Sequence, residues 1–592
     1  MVKTTLLEVM DNHVLTSSSS TLECWDPSQK TYIAVSYSEL CQRAFAFGAR
    51  LIESSEAIDI KDRAVMIACH SPYATLVAFY GAISVGAIPM IFPMPLSLGS
   101  HEALTKRIEH WGLSFDSPAM LILEADLEEK FHAFIPDSII TLRLSDNPSG
   151  DWPTLPASAN HHQPLSSDTA FYQTTSSSTG DHKAVAISHN NIIANVSGIR
   201  AAVDMQDDER MASWLPLFHD MGLVGAVLFS FCNNYTLFIM TPTQFIKRPA
   251  NWLKTMDEHR CTIATAPNFG FDYCSRLVSV KDRDQLQLGH IKHLFIGAEP
   301  IRVSTIRSFL EKFKPCGIDP QVIRPAYGLA ESTIISSISS HTQLSEFICI
   351  DADAIKMGEK ISIIDTIDFT DQELARYDVE TSIAVCTAGK AIDGMQITLV
   401  DEEHKLIEQE GIVGEIHIKG SSVAMGYVWG GEQARIDRFE DGAALTGDIG
   451  VIHKGEIYIL ERIKNIIIRN GENYMVSALE EQLAQLLDIS HEHVAVFESD
   501  IHDPNSDIVV LVERHSPIDD TQIDALLATM PKDGFPINRI LLSKAREIPR
   551  TTSGKKRHFY CRQEYQRGSI VFQQDIEVSP QRIAQALKAQ QS

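Results

Sequence analysis

Apolar runs and amphipathic stretches alternate along roughly the first 330 residues. Ser36-x-x-Glu39 has the form of a capping box and predicts the start of a helix that runs to about Ile52. Continuous apolar runs at Ala64–Ala68 and Ala87–Phe92 predict strands that are buried on both faces, and the apolar stretch Pro72–Val85 between them predicts a buried helix. This alternation of strand and helix favours an α/β fold with a parallel sheet.

One apolar stretch has an alternative interpretation. Ser71–Ser100 carries no charge and is long enough to span a membrane. Pro89, Pro93 and Pro95 interrupt it, so we favour a buried β-α-β unit over a membrane span. Acidic residues interrupt the apolar positions at the N-terminus, and no export signal is predicted there.

Several predicted strands end in loops that carry polar residues. Strands at Ala170–Gln173 and Ala184–Ile187 flank a hydroxyl-rich loop. Short buried strands at Ile291–Ile296 and Gln321–Arg324 end in Gly-Ala-Glu-Pro and Ala-Tyr-Gly. Because α/β sheets bind ligands beyond their strand ends, we expect a site there. Alternation punctuated by glycine over Ile412–Val428 predicts a more β-rich subdomain.

A domain boundary is predicted near Lys464. Beyond it, Asn465–Arg469 and Glu472–Met475 flank Asn470-Gly471, a pair suited to a tight hairpin, and Ser477-x-x-Glu480 has the form of a second capping box. Further elements are expected as strands at His493–Phe497, Asp507–Val512 and Arg539–Leu542 and a helix near Asp520–Met530. We therefore divide the chain into a large N-terminal domain, residues 1–463, and a small α+β domain, residues 464–592.

Composition and charge narrow the function classes. The chain has 592 residues and a formal net charge of −26, which repels phosphate backbones, so nucleic acid is not expected as a partner. Its ten cysteines include no C-x-x-C pair, and this spacing predicts reduced, buried thiols and a cytoplasmic location. His161-His162 and His491-Glu492-His493 lack the spacing of metal ligands on one helical face and are interpreted as loop residues.

Common nucleotide and hydrolase motifs are missing from the sequence. No two of the 32 glycines are separated by one residue, which excludes the G-x-G-x-x-G dinucleotide fingerprint. The sequence also contains no G-x-x-x-x-G-K-[ST] loop, no G-x-S-x-G elbow and no H-E-x-x-H pair. We therefore do not expect a dinucleotide-binding site of the Rossmann type.

The hydroxyl-rich loop is the most informative segment. Its residues are Thr174, Thr175, Ser176, Ser177, Ser178, Thr179, Gly180, Asp181, His182 and Lys183. A loop of this composition between two strands offers hydroxyl and backbone N–H donors to phosphate oxygens, and Lys183 adds positive charge. A solvated polar linker is the alternative, with about equal weight when the loop is taken alone.

This loop resembles T-S-G-S-T-G-x-P-K-G, the phosphate-binding signature of the adenylate-forming superfamily. That superfamily includes acyl-CoA ligases, luciferases and the adenylation domains of peptide synthetases. Three positions depart from the signature, with Ser177 for Gly, His182 for Pro and Ala184 for Gly. A side chain in place of glycine at Ser177 and Ala184 stiffens the loop and changes the placement of its backbone amides.

Five further motifs resemble the superfamily in the same order and extend over nearly the whole chain. They contain His219, Gly297-Ala298-Glu299, Ala326-Tyr327-Gly328-Leu329, Glu331, Thr446-Gly-Asp448, Arg462 and Lys555. The resemblance implies that His219 borders the acyl site, that the loops at Gly297 and Tyr327 enclose adenine and that Asp448 binds ribose with support from Arg462. It also implies Mg²⁺ on Glu331, a catalytic role for Lys555 and a hinge at Lys464.

Each of these residues also has a plainer interpretation. Lys555 begins a basic run that would lie on the surface, Glu331 would be a helix N-terminal acid, Asp448 a turn residue and His219 a core histidine. Adenylyl transfer nevertheless needs these residue types, because a carboxylate that attacks a polyanion requires cations to offset the repulsion.

Further motifs resemble the fatty acyl-AMP ligase branch of the superfamily. They are Leu217–Leu223, Phe245-x-x-Arg-Pro-x-x-Trp-Leu253, Ala266-Pro-Asn-Phe269 and Ala330 in place of threonine. A segment at about 350–385 resembles the insertion that in this branch packs between the domains and hinders the rotation needed for CoA. An ordinary surface hairpin is the alternative.

The branch implies a reaction and its partners. A fatty acid and ATP, with Mg²⁺, would form acyl-adenylate and pyrophosphate, and the acyl group would pass to the phosphopantetheine thiol of an acyl carrier protein. Asp137-Ser-Ile139 mimics a carrier attachment motif but lies in the α/β region, so a separate carrier is expected. An acyl-CoA ligase and a non-catalytic nucleotide-binding protein are the alternative functions.

Overall fold

A computed structural model gives the fold. It describes residues 3–54, 59–92, 108, 120–124, 127, 135, 139–144, 162–175, 183–351, 355–370, 382–428, 439–440, 442–469, 472–500, 503, 506–514, 516–518, 523–524, 527, 537–544, 546–550, 556–579, 581–583 and 586.

A nine-stranded sheet, the central sheet, forms the middle of the molecule. In spatial order its strands are Lys390–Ala391, Ser337–Ile338, Ile323–Tyr327, His293–Gly297, Ile263–Pro267, Arg210–Ser213, Thr236–Ile239, Thr21–Asp26 and Thr31–Ser36. The six strands from Ile323–Tyr327 to Thr21–Asp26 run parallel to one another, and antiparallel strands border them on both sides. The inner strands are buried on both faces, as their continuous apolar runs require.

Helices cover this sheet and its neighbours. In chain order they are Leu6–Thr16, Tyr37–Ser54, Pro72–Ser84, His189–Ala202, Asp220–Gly222, Phe229–Asn233, Pro242–Lys247, Ala250–Glu258, Asn268–Leu277, Val280–Arg283, Val303–Phe313, Val476–Leu486 and His558–Gln566, with a π-helix at Leu223–Leu228 and 3₁₀ turns at Lys314–Cys316, Pro320–Val322, Ala330–Ser332, Ile463–Asn465 and His491–His493.

The β-α-β unit has the predicted form. A second, parallel sheet contains Ile88–Ile91, Ala64–Ala68, Met120–Glu124 and Ile140–Leu144 in spatial order. Every residue of the connecting helix from Tyr73 to Ser84 is buried, which explains why this helix is apolar all round. Among the described residues, no helix has the length and apolar character needed to cross a membrane.

Three smaller antiparallel assemblies follow in the chain. The strands Gly426–Val428, Lys183–Ser188 and Thr169–Thr175 form one sheet. A six-stranded sheet, called the distal sheet, contains Leu406–Ile407, Met395–Val400, Gly414–Gly420, Ala443–His453, Phe439–Glu440 and Glu456–Arg462. The insertion sheet contains Ile363–Asp368, Glu346–Asp351 and Ser382–Cys386.

The chain beyond Lys464 builds its own sheets and cores. A hairpin pairs Ile466–Arg469 with Glu472–Met475, as predicted, and a four-stranded sheet contains Val494–Glu498, Ile508–Glu513, Arg539–Ser543 and Phe572–Glu577. Two apolar clusters are formed entirely by residues after 464. Arg302 of the N-terminal region donates a hydrogen bond to Glu481 of the helix Val476–Leu486.

The predicted boundaries of two elements are wrong. The second capping box does not form, because the helix begins at Val476 and Glu480 is buried in ion pairs with Lys556 and His558. The strand predicted at Gln321–Arg324 begins at Ile323, because Asp319 caps a 3₁₀ turn over the preceding residues. The first capping position is confirmed, since the Glu39 N–H donates to Ser36 Oγ over 3.1 Å.

Two predicted segments lie largely or wholly outside the described residues. They are the helix near Asp520–Met530 and the carrier-like tripeptide at Asp137.

Candidate active site

A cavity of about 440 Å³ lies at the carboxyl ends of the parallel central strands. Twelve of the predicted site residues line it, and they are Thr175, Lys183, His219, Gly297, Ala298, Ala326, Tyr327, Gly328, Leu329, Glu331, Arg462 and Lys464. The residues come from the central sheet and the loops after its strands, from the distal sheet and the turn after it, and from the paired strands Thr169–Thr175 and Lys183–Ser188. Widely separated motifs of the sequence therefore meet at one place.

Close backbone contacts explain two of the glycines in the cavity wall. A Cβ atom added to Gly297 would lie 2.5 Å from the carbonyl oxygen of Ala326, and one added to Gly328 would lie 1.6 Å from the carbonyl oxygen of Ile334. Both distances are too short for any side chain. The two strand ends therefore approach each other and the next loop more closely than other residues would allow.

A hydrogen-bonded group of three side chains forms the polar end of the cavity. Tyr327 Oη donates to Asp448 Oδ2 over 2.8 Å, and Arg462 Nε donates to Asp448 Oδ1 over 2.8 Å. Asp448 lies directly opposite Arg462 in the antiparallel pairing of the distal sheet, which explains why the two meet. The Asp448 carboxylate raises the pKa of Arg462, and burial raises the pKa of Tyr327 well above its usual value.

A carboxylate and an amine contact the same tyrosine side chain. The Tyr427 hydroxyl donates a hydrogen bond to Glu331 Oε1, and Lys183 Nζ lies 4.9 Å from the centroid of the Tyr427 ring. Tyr427 lies opposite Val185 in the antiparallel pairing, so strand register brings it beside Lys183. Thr175 pairs with Lys183 on the other side of the same strand. The predicted phosphate-binding lysine and the predicted magnesium carboxylate thus share one neighbour.

His219 lies where a strand connection enters a short helical turn. Its Nδ1 atom lies 2.5 Å from Asp220 Oδ1 and 3.3 Å from the backbone nitrogen of Met221. The turn continues into the π-helix Leu223–Leu228, a rare geometry that is frequent at functional sites. His219 therefore lies at the junction between the cavity and the π-helix.

Another part of the cavity lining is apolar and is called the apolar end. It includes Ile199, Met211, Gly225, Phe229, Phe295 and Ile334. Most of these side chains belong to the buried core around the central sheet, so this end reaches into the interior of the molecule. One cavity thus combines a polar, hydrogen-bonded end with an apolar interior.

The remaining predicted site residues have other positions. Glu299 accepts a hydrogen bond of 2.7 Å from the backbone nitrogen of Phe269, at the start of the helix Asn268–Leu277, rather than lining the cavity. Asp448 is only 6% exposed and reaches the cavity through its partners Tyr327 and Arg462. Ser176, Ser177, Ser178, Thr179, Gly180 and Lys555 lie outside the described residues.

Two of the motifs that resemble the fatty acyl-AMP ligase branch meet at Trp214. The rings of Trp214 and Phe245 are stacked at a centroid distance of 3.8 Å, and Trp252 and Phe269 contact this pair edge-on. Segments distant in the sequence therefore share one aromatic cluster.

Two residues of the cavity wall escaped the sequence analysis. Tyr427 and Glu415 contact Glu331 and the backbone of Gly447, respectively. Both contacts depend on strand pairing between distant segments, so no local signal pointed to them. Among the described residues, no group of three or more metal-ligating side chains occurs, and His491 pairs with its neighbour Glu492.

The sequence matches the family model of AMP-binding enzymes over residues 23–428, and the chain belongs to this family. The chain is an ATP-dependent, AMP-forming ligase, as predicted.

Individual relatives show which branch of the family the chain resembles. The chain is 29% identical to the long-chain-fatty-acid–AMP ligase FadD32 of Mycolicibacterium smegmatis over 90% of this chain and 89% of that protein. It is 28% identical to the medium-chain-fatty-acid–[acyl-carrier-protein] ligase JamA of Moorena producens over 92% of this chain and 91% of that protein. A solved structure from a study of fatty acyl-adenylate ligases of E. coli and L. pneumophila has a TM-score of 0.82 and 26% identity, over 95% of this chain and 98% of the other. The α/β fold and the resemblance to the fatty acyl-AMP ligase branch are confirmed.

Proposed function

We propose that the chain activates a fatty acid with ATP and Mg²⁺ to form an acyl-adenylate and pyrophosphate, and then passes the acyl group to a separate acyl carrier protein. The observation that carries this proposal is a cavity whose lining combines polar, hydrogen-bonded residues with apolar ones. A nucleotide matches the polar end and an alkyl chain the apolar end, and the acid's carboxylate would meet the α-phosphorus between them.

In the first half-reaction, the carboxylate oxygen forms a bond to the α-phosphorus while the bond to the pyrophosphate oxygen breaks. Two anions must approach each other, so positive charge is needed at the phosphates. Lys183 lines the cavity and is the described amine proposed for this role. Lys555, which lies outside the described residues, is proposed as a second catalytic cation.

Glu331 is proposed as the magnesium ligand. Mg²⁺ in nucleotide sites is typically held by one or two carboxylates together with substrate phosphates, and the Glu331 carboxylate in the cavity wall fits that pattern. When bound, Mg²⁺ supplies positive charge at the phosphate oxygens. The Tyr427 hydroxyl holds one oxygen of Glu331 and thereby orients the carboxylate.

Asp448 and the loops at Gly297 and Tyr327 are proposed as the nucleoside site. A carboxylate fixed by Tyr327 and Arg462 keeps acceptor capacity for the two ribose hydroxyls. The loops at Gly297 and Tyr327 line the same cavity, where they would contact the purine ring. His219 is proposed as a contact near the carboxyl end of the acid.

In the second half-reaction, the carrier thiol attacks the acyl carbonyl, a thioester bond forms and AMP leaves. We propose residues 1–463 and 464–592 as the two domains, with Lys464 as the hinge for a movement between the half-reactions. Separate apolar cores after residue 464 support this division. Lys464 itself lines the cavity, so a rotation of the backbone at this residue would also change the cavity wall.

The insertion sheet favours a carrier protein over CoA as acceptor. Ile348, Ile350 and Val385 of this sheet share an apolar cluster with strands of the distal sheet and with Met475 and Ala478 beyond the hinge. Rotation of the C-terminal region would expose that cluster, so the insertion opposes a large rotation. We also propose a cytoplasmic location, which the ten free thiols favour.

Competition between acceptors tests this proposal. The purified chain is incubated with ATP, Mg²⁺ and a mixture of saturated fatty acids, and the products with a phosphopantetheine-loaded carrier protein or with CoA are identified by mass spectrometry. We expect acyl-AMP in both reactions and acyl transfer to the carrier. Robust acyl-CoA formation would contradict the choice of acceptor and identify an acyl-CoA ligase, and the absence of acyl-AMP would favour a non-catalytic binding protein.

A further inference from the structure

The segment Thr446–Asp448 departs from regular strand pairing beside the cavity. In the antiparallel ladder of the distal sheet, Glu415 lies opposite Ile449, whereas two residues further along its strand the partner is already Leu445. One strand therefore advances two residues while the other advances four. The extra residues form a bulge, a feature that redirects side chains and is common next to active sites.

Specific groups satisfy the backbone of this bulge. The Gly447 N–H donates to Glu415 Oε1 over 2.9 Å, and the Asp448 N–H donates to Thr446 Oγ1 over 3.1 Å. The Thr446 hydroxyl in turn donates to the carbonyl of Ile416 over 2.8 Å. Gly447 has a φ of +75°, a left-handed conformation that glycine adopts without strain. In these three bonds, Glu415 is the one ionisable side chain that reaches across from the neighbouring strand.

The bulge determines where Asp448 points. Its carboxylate leaves the strand at the bulge and meets Tyr327 on one oxygen and Arg462 on the other. If Glu415 were removed, the Gly447 N–H would need water as its hydrogen-bond partner. The backbone of the bulge would then shift to reach water, and Asp448 would move with it. Glu415 accepts from the Gly447 N–H, one residue before Asp448, whereas Thr446 accepts from the Asp448 N–H itself. Glu415 is therefore the side chain by which the neighbouring strand holds the bulge that carries Asp448.

We propose that Glu415 is a positioning residue for nucleotide recognition, which fixes the bulge so that Asp448 meets the ribose hydroxyls. The inference rests on the nucleoside site proposed above. Glu415 acts on Asp448 through the Gly447 peptide and takes no part in bond making. Its effect should therefore fall on recognition of the ribose and spare the rest of the nucleotide.

Binding of AMP and of 2′,3′-dideoxy-AMP, measured by calorimetry without fatty acid, tests this role. We expect E415A and E415D to weaken AMP binding about tenfold, because a charged hydrogen-bond acceptor is lost or withdrawn. Binding of the dideoxy nucleotide should change little, so discrimination between the two nucleotides falls. E415Q retains an acceptor oxygen at the same reach and should restore most of the discrimination, and K419A, on the exposed face of the same strand, is the matched control.

Different outcomes identify different failures. An equal loss for both nucleotides in E415A and E415D would show a merely structural role and overturn the inference. If E415A does not fold, the E415D and E415Q pair gives the same comparison. In the double variant E415A/D448A, the loss should match that of D448A alone. Lack of discrimination in the unmodified protein would overturn both the ribose contact and the role of Glu415, whereas a failure of fatty acid activation alone would leave this binding test intact.

Discussion

The two ends of the cavity are built by different means. At the polar end, loops, a bulge and close glycine contacts hold Asp448, Tyr327 and Arg462 in one hydrogen-bonded arrangement. At the apolar end, side chains of the buried core form the wall together with Gly225 of the π-helix. Hydrogen bonds fail when one partner is removed, whereas apolar walls repack. The polar end should therefore decide whether the reaction occurs, and the apolar end should decide which acid is used.

Asp448→Ala should have the largest effect. It removes the hydrogen-bond acceptor of both Tyr327 and Arg462, and each hydrogen bond to a charged group typically contributes about 1.5–3 kcal/mol. We expect kcat/KM for ATP to fall about 10²–10³-fold, measured as acid-dependent pyrophosphate exchange. Glu402→Ala, at an exposed turn of the distal sheet, is the control. A loss below about threefold would mean that the polar end is not the nucleotide site.

Gly328→Ala should have the next largest effect. The new Cβ would lie 1.6 Å from the Ile334 carbonyl, so the loop after Tyr327 must shift. A misplacement of about 1 Å can cost about 10²-fold in rate, and we expect kcat/KM for ATP to fall by about 10–10²-fold. Gly289→Ala is the matched control, since its Cβ would keep 3.3 Å from the nearest atom. Equal activity in the two variants would show that the close contact of Gly328 with the Ile334 carbonyl is not needed for the geometry of the site.

Substitutions at the apolar end should change preference more than rate. A Cβ added to Gly225 would lie 2.7 Å from Ile334 Cδ1, so Gly225→Val should narrow the cavity and shift preference toward shorter acids. Phe229→Leu should open the same end and shift preference toward longer acids. We expect KM for ATP to change less than about threefold in both variants, because the polar end is untouched. The measurement is kcat/KM as a function of the chain length of the acid. An unchanged profile in both variants would contradict the prediction.

A fall in pH should lower the stability of the fold next to the apolar end, because His13 there is buried in its neutral form. His13 contacts the carbonyl of Phe231, in the helix that carries Phe229, and burial lowers its pKa to about 4. In the unfolded chain His13 is protonated near pH 6.5, whereas in the folded chain it stays neutral until about pH 4. The free energy of unfolding therefore keeps the whole contribution of His13 at neutral pH and loses it as the pH drops from about 6.5 toward 4. We expect His13 to account for about 1.4 kcal/mol of the stability lost between pH 7.5 and 5.5.

Urea unfolding at the two pH values measures this smallest effect. His13→Gln retains a hydrogen-bond donor but does not titrate, so its stability should fall less over this range than that of the unmodified protein. Replacement of the exposed His404 by glutamine is the control. An identical pH dependence in His13→Gln and the unmodified protein would exclude this histidine as the source.

Local signals in the sequence predicted much of the fold. The strand Ala64–Ala68 has its predicted limits, and the glycine loops at Gly297 and Gly328 line the cavity as expected. Apolar runs and close-contact glycines are set by neighbouring residues and strand burial, so their pattern is visible in the sequence. Long-range pairing is not visible in this way.

The errors share one physical cause. Glu480 was expected to cap a helix, but tertiary ion pairs with Lys556 and His558 draw it into the core. Glu299, whose place at the nucleotide stays a prediction, accepts a hydrogen bond from the backbone of Phe269. At Glu480, partners distant in the sequence outcompete the local role. The bulge that carries Asp448 escaped prediction for the same reason, because it arises from the register between two strands.

The measurement that tests the central proposal most directly is fatty-acid-dependent exchange of pyrophosphate into ATP. The purified chain is assayed with Mg²⁺ and saturated acids of increasing length, beside Asp448→Ala. We expect exchange that requires the acid and Mg²⁺, depends on chain length and falls about 10²–10³-fold in the variant. Exchange without a fatty acid, or no exchange with any acid while ATP still binds, would contradict the proposal.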